Sequence, residues 1–329
     1  MNKIIRVILL YFAATFISYS QIKVLSLAGE WKFEIGDNVN WSKPDFNDNN
    51  WNKIKVPAAW EDEGYYGYDG FAWYRQTFYF PSTYQSFNSF FISLGYIDDV
   101  DEVYFNGKLI GFSGKMPPRY ETAYNAQRKY YLQKDLIIFN QKNNIAIRVY
   151  DSQLAGGIVS GNIGIYAENQ SLPFLVDFRG LWRFKTGDNM QYKSPDFNDS
   201  KWNNIVVPKA WEDQGYRNWD GYGWYRKTFY LNNIPNTKIV VIVLGKIDDF
   251  DEVYLNGVLI SNKKIENYDL SQTKYNELRA YYVSSTLLKG KNTIAIRVLD
   301  TGGVGGIYEG PVGIVSLKDF VNYWKNKNK

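Results

Sequence analysis

LGYIDDVDEVYFNGKLIG, residues 94–111, and LGKIDDFDEVYLNGVLIS, residues 244–261, are one pattern written twice at an offset of 150. In each, an Asn-Gly pair separates two apolar runs: Val103-Tyr104-Phe105 and Leu109-Ile110-Gly111 flank Asn106-Gly107. That arrangement predicts a β-hairpin, because both central residues of a type I′ turn need positive φ, which Asn tolerates and Gly adopts freely. Outward from this stretch the duplication continues in both directions. Gly29–Tyr79 aligns without a gap on Gly180–Tyr230, with 30 of 51 positions identical. KNNIAIRVYD (142–151) meets KNTIAIRVLD (291–300), and Gly156-Gly157-Ile158 answers Gly305-Gly306-Ile307. A period of about 150 residues is domain-sized, far longer than a solenoid repeat.

Each copy reads as strands. Residues 71–80 are aromatic and β-branched, residues 90–94 follow after a polar turn, and Asn144–Val149 alternates apolar with polar, as a half-buried strand does. No window beyond the N-terminus has helical periodicity. The expected fold is all-β, two tandem antiparallel β-sandwiches. The expected boundaries are a leader over 1–20, one domain over 21–170, a second over 171–317 and a basic tail over 318–329. The domain junction falls at Glu168-Asn169-Gln170-Ser171-Leu172-Pro173, and the tail is expected to dock one short helical turn before fraying.

Composition removes whole classes of chemistry. The 329 residues contain no His and no Cys, so there is no Ser-His or Cys-His nucleophile pair, thiolate, disulfide or His-ligated metal. Carboxylate, Lys, Tyr or Ser chemistry is what remains. The net charge of +4 is concentrated at the two ends, and no basic stripe of the kind that binds nucleic acid is present. Lys3 and Arg6 precede the apolar run Val7–Ile17 and the small residues Ser18 and Ser20, which predicts a secretory signal cleaved near Ser20-Gln21 and a secreted or periplasmic mature chain without a membrane span.

The combined motif string then carries a family resemblance. It runs Gly29-x-Trp31-x-Phe33, Asp45-Phe46-Asn47-Asp48 with Trp51, Pro57 with Trp60-Glu61-Asp62, Asp69-Gly70 with Trp73-Tyr74-Arg75, Ile97-Asp98-Asp99-x-Asp101-Glu102 before Asn106-Gly107, and Arg148-Val149-x-Asp151 with Gly156-Gly157-Ile158. This resembles the jelly-roll, galactose-binding-like accessory domain of glycoside hydrolase family 2 enzymes, and is most similar to the version embedded in sialate O-acetylesterases. The second copy repeats it from Gly180 to Ile307. The resemblance implies sugar-associated modules without the catalytic (β/α)8 barrel or esterase domain that those enzymes carry.

Three groups of residues are candidates for a site. Asp98, Asp99, Asp101 and Glu102, with Asp248, Asp249, Asp251 and Glu252, are the only cluster suited to glycosidic chemistry, which needs two carboxylates at suitable separation. On one strand Asp99 and Asp101 would share a face. The plainer reading is that these acids cap turns or pair with buried arginines, with Arg75 and Arg226 expected as partners. The second group is the mixed aromatic and acidic loop of Trp60, Glu61, Asp62, Tyr65 and Asp69, answered by Trp211, Glu212, Asp213, Trp219 and Asp220. Here indole faces would stack on a pyranose while carboxylates accept its hydroxyls; alternatively the loop only covers the end of the sandwich. The third is Arg128 and its counterpart Arg279, each in a long connection, either solvated or facing a carboxylate-bearing sugar.

The function expected is a secreted, non-catalytic protein that binds carbohydrate, an oligo- or polysaccharide. The alternatives are a glycosidase component using Asp98–Glu102, or a subunit that binds a separate hydrolase chain. No cofactor is expected, although the carboxylate oxygens could hold a structural Ca2+.

Overall fold

The computed structural model describes residues 21–169, 171–261, 264–267, 269 and 275–327. The expected leader lies outside the described residues. The fold is all-β. Its first ten strands are β1 (Gln21–Ser26), β2 (Gly29–Ile35), β3 (Asn52–Val56), β4 (Gly70–Tyr79), β5 (Phe90–Asp98), β6 (Val100–Phe105), β7 (Lys108–Ser113), β8 (Gln127–Leu132), β9 (Lys142–Asp151) and β10 (Gly157–Glu168). They form a four-stranded sheet in the order β1-β10-β5-β8 and a six-stranded sheet in the order β3-β2-β4-β9-β6-β7, with every pairing antiparallel.

The second set repeats this order. It comprises β11 (Val176–Asp177), β12 (Gly180–Thr186), β13 (Asn203–Val207), β14 (Gly221–Tyr230), β15 (Ile239–Asp248), β16 (Phe250–Leu255), β17 (Val258–Leu259), β18 (Leu278–Ser284), β19 (Lys291–Asp300) and β20 (Gly306–Ser316). The sheets run β11-β20-β15-β18 and β13-β12-β14-β19-β16-β17. The Asn-Gly hairpin forms in both halves, with φ of 47° and 78° at Asn106 and Gly107 and of 51° and 82° at Asn256 and Gly257.

Alternation along β4 explains the packing. Ala72 and Tyr74 point into a core shared by both sheets of the first half, with Phe33, Ile54, Val103 and Ile147 from one sheet and Ile92, Leu94 and Ile165 from the other. Trp73 and Arg75 point the opposite way, yet both are buried, because residues 37–51 fold over that outer face and place Trp41, Phe46 and Trp51 against Trp73. In the second half Trp224 sits equivalently with Trp202, Tyr192 and Phe197. Arg75 therefore does not meet the acidic cluster. Its Nε donates to Asp48 at 2.8 Å and its Nη1 to the Lys43 carbonyl at 3.1 Å; Arg226 repeats this with Asp199 and Ser194.

The C-terminal segment is more regular than expected. It is an eleven-residue helix, α1 (Leu317–Lys327), whose Phe320, Tyr323 and Trp324 cover Val241, Val243 and Val315 on the outer face of the second four-stranded sheet. Ser316 caps it, accepting from the Asp319 amide at 3.1 Å and donating to the Asp319 carboxylate at 2.6 Å.

Candidate functional site

Of the loop aromatics expected as stacking platforms, Trp60 and Trp211 are not available to a ligand, while Trp219 is half-buried. Trp60 and Trp211 are fully buried in the cores of their halves. The reason lies in the paired glycines of the same repeat. A β-carbon on Gly156 would stand 2.1 Å from Trp60, and one on Gly305 would stand 2.3 Å from Trp211, so each indole fills the space that the glycine backbone leaves. Glu61 and Glu212 complete the contact by accepting the Gly156 amide at 3.1 Å and the Gly305 amide at 3.2 Å. Tyr65 packs edge-on against Phe33, and Trp219 packs on the second core. Asp62, Asp69 and Asp220 are exposed, Asp213 is half-buried, and Tyr66 is the most open aromatic of the first loop at 83% exposure.

The arginines expected near a ligand are also internal. Arg128 donates from Nε to Asp101 at 2.8 Å, and Arg279 to Asp251 at 2.8 Å, with all four side chains buried. Tyr130 donates to the other Asp101 oxygen at 2.5 Å, and Tyr281 does the same at Asp251. Glu102 and Glu252 pair with Arg148 at 3.1 Å and Arg297 at 3.0 Å, and those arginines also hold Asp37 and Asp188. Half of the acidic cluster is thus neutralised by ion pairs that sequence reading gave to other arginines. Arg148 and Arg297 had a visible signal, since they lie in the repeated IAIRV strand.

The other half of the cluster is arranged differently. Asp99 follows the end of β5 rather than sharing a strand face with Asp101. It accepts from the Ser152 amide at 3.1 Å, the Ser152 hydroxyl at 2.8 Å and the Thr122 hydroxyl. Burial works against its charge, but hydrogen bonds from Thr122, Tyr120 and Ser152 outweigh it and hold the carboxyl below its usual range. In the second half Asp249 accepts from the Thr301 amide at 3.1 Å and from its hydroxyl. One oxygen each from Asp98, Asp99 and Asp151 lies within 4.8 Å of the others, as does one each from Asp248, Asp249 and Asp300. Burial, then the neighbouring carboxylates, pushes Asp98 up to about 6 and Asp248 up to about 8. Burial chiefly raises Asp151 to about 7 and lifts Asp300 in the same direction.

The concave feature of most interest is a cleft of about 330 Å3 between the two halves. One wall is Phe112, Ser113, Lys115 and Arg119 from the end of β7 and the connection after it; the other is Asn203, Asn204, Gln214 and Tyr216. The segment after Trp211 docks here. The Gly114 amide donates to the Asp213 carbonyl at 2.8 Å, and the Lys115 ammonium donates to the Gly215 carbonyl and stands 3.9 Å over the Tyr216 ring. Beneath the cleft, Lys209 donates to Ser113, whose hydroxyl also meets the Tyr130 hydroxyl at 2.6 Å. Burial, then the nearby Arg128, lowers Lys209 to about 8. Burial also lowers Lys115, helped by Arg119 and opposed by Glu121.

Sequence reading passed over Lys209, Gln214 and the cleft. A signal existed: at these positions the otherwise repeated copies differ, since Lys209 and Gln214 stand where the first copy has Ala58 and Glu63. Among the described residues the first loop has no hydrogen bond to the other half, whereas the second is built into the seam.

Partial regions of the chain are homologous to family 2 glycoside hydrolases. The chain is 33% identical over 137 residues to a protein of Formosa agariphila named as a β-glucuronidase, a match covering 37% of this chain and 12% of that protein. It is 33% identical over 94 residues to the β-galactosidase BoGH2A of Bacteroides ovatus, covering 25% and 11%. The chain therefore spans about a tenth of the length of these relatives. No family model matches. Among solved structures, a β-glucuronidase of Bacteroides uniformis aligns over 85% of this chain and 28% of its own, at 15% identity and a TM-score of 0.38, and a Ruminococcus gnavus β-glucuronidase over 86% and 43%, at 12% identity and a TM-score of 0.38.

Proposed function

We propose that the chain is a secreted, non-catalytic accessory protein of two jelly-roll, galactose-binding-like sandwiches, and that it binds carbohydrate in the cleft between them. The observation that carries this reading is the composition of the cleft. Phe112 supplies an aromatic face for a pyranose, Asn203 and Asn204 supply amides that both donate and accept, Arg119 supplies donors, and Tyr216 with Lys115 over its ring closes the opposite wall. Homology to enzymes named for glucuronides and galactosides supports a saccharide ligand. Hydrolysis is not part of the proposal: Asp101 and Glu102 border the cleft, but both are tied into ion pairs with Arg128 and Arg148.

Affinity electrophoresis through neutral and uronate polysaccharides, with a glycan array, tests it. The wild type is expected to be retained, and Phe112→Ala to weaken retention by about two- to tenfold, the range of one aromatic contact. No retention on any glycan ends the reading. A second reading is favoured by the burial of Trp60 and Trp211, which leaves the Glu61–Gly70 loop with Tyr66 outward as a surface for a separate hydrolase chain. Co-purification of such a hydrolase by a chain without glycan affinity would put it first.

A further inference from the structure

The three-carboxylate clusters at the ends of β5 and β9, and of β15 and β19, pose a problem of charge. Among the described residues none of the six forms an ion pair; Arg128 and Arg279 are spent on Asp101 and Asp251. Asp151 is fully buried and Asp300 nearly so, and in each the Oδ2 atom has no hydrogen-bond partner while Oδ1 accepts only a backbone amide, from Gln153 at 3.4 Å or Gly302 at 3.1 Å. An orphaned carboxylate oxygen in a buried site carries an uncompensated desolvation penalty, and here it recurs at the same position of both copies. Two copies that differ at 21 of 51 aligned positions elsewhere have both kept it.

Either protons or a bound cation must meet these oxygens. The separation limit of 4.8 Å is twice a Ca2+–O distance of about 2.4 Å, so three oxygens this close fit within one calcium coordination sphere. The donor set is all carboxylate, which selects hard cations over soft ones. In the first half Asp98 is only half-buried, which gives an ion and its remaining waters a route in. We propose that Asp98, Asp99 and Asp151 bind one hard divalent cation, with calcium the best fit, and that Asp248, Asp249 and Asp300 bind a second. Each ion would tie the end of one strand in the four-stranded sheet to the end of one in the six-stranded sheet. It would thereby fix the turns that lead from Asp151 and Asp300 to the glycines over Trp60 and Trp211. Cation binding requires no glycan, so it stands or falls apart from the carbohydrate reading.

Isothermal titration of the EDTA-treated full chain with CaCl2 is the direct test. Two ions per chain are expected, each bound more tightly than about 1 mM, with Asp151→Asn and Asp300→Asn each removing one. Terbium gives a second readout: Trp211 and Asp300 both lie against Gly305, so excitation of Trp should sensitise an ion there, and Asp300→Asn should remove that ion's share of the signal and leave the share of the ion in the first half. If either variant fails to fold by circular dichroism, Asp98→Asn and Asp248→Asn take its place. No calcium heat, and no EDTA-sensitive change in melting temperature between pH 6 and 8.5, would overturn the proposal, because the carboxyls would then be sharing protons. Stoichiometry unchanged in a variant carrying both Asp151→Asn and Asp300→Asn would overturn it too, by placing the ions elsewhere.

Discussion

At the scale of single residues, Lys209 has the most testable chemistry. An ammonium in the seam between halves, hydrogen-bonded to Ser113 and 5.1 Å from the Tyr130 ring, has exchanged water for a few partners. Arg128 opposes its charge, while Asp101 and Asp213 favour it, and burial dominates. The folded-state value of about 8 lies below the ordinary 10.5, so between those limits the unfolded chain binds more protons than the folded one. Stability must therefore rise as pH rises through that window, by about 3 kcal/mol in full. Lys227, also lowered to about 8 by burial, acts in the same direction, so the comparison needed is between wild type and Lys209→Met. Urea midpoints measured from pH 7.5 to 9.5 should climb more steeply in the wild type, and the variant should be the more stable of the two at pH 7.5. Equal slopes would mean that Lys209 is not desolvated. Nothing in the sequence marks this lysine as buried except its place opposite Ala58, which is why a reading by residue type alone passes over it.

At the scale of elements, the strands and the Asn-Gly hairpin were legible because their signals are local: period-two patterning and a turn that demands positive φ. The sites where strands cross closely were not, because they depend on partners 65 residues away. Gly95 in β5 and Gly245 in β15 show this. The pairing of β5 with β10 shifts register near Ser160, and a β-carbon on Gly95 would stand 1.9 Å from the Ser160 carbonyl oxygen; on Gly245 it would stand 2.1 Å from that of Glu309. Both glycines also have φ near +60°. The obstacle is backbone, which cannot rotate away, so strain at the residue and a disrupted ladder add together. Gly245→Ala is expected to cost at least about 3 kcal/mol. A change at Gly67, with φ of +63° but open space around it, should cost about 1 kcal/mol. Chemical denaturation of the pair checks the difference, and similar losses at both would show that close approach is not the cause. The same contrast explains the misplaced Trp60: an aromatic, glycine-rich loop reads as exposed until the glycines of a distant strand are seen to lie over it.

At the scale of the whole molecule, the duplication was legible from end to end, whereas the asymmetry between copies was not, because it arises only when the halves meet. Arg179 shows how firmly they do. It lies just after β11, is buried, and joins Asp177 at 2.5 Å to Glu168 at 3.0 Å and the Ser89 hydroxyl at 2.9 Å, both in the first half. Its guanidinium also stands 4.1 Å over the Tyr131 ring, and its carbonyl accepts from Gln133 at 2.7 Å. The glycan reading needs the cleft walls, which come from different halves, to stay in register. Arg179, at the seam outside the cleft lining, is a way to loosen that register without touching the cleft. Arg179→Ala would leave Glu168, whose carboxyl is held low by Arg179 against the effect of burial, with Lys129 at 3.5 Å and the Ser89 hydroxyl, a loss that stays below the roughly 3–5 kcal/mol of a buried charge left with no partner. Because that cost falls on the seam rather than on either core, the halves should uncouple before either unfolds. Calorimetry of the wild type should give one transition with van't Hoff and calorimetric enthalpies in agreement, and the variant should broaden toward two transitions with a ratio near one half. Glycan retention should fall together with that ratio although every cleft residue is intact. Retention that survives the uncoupling would place the ligand on one half alone and move the binding site out of the cleft.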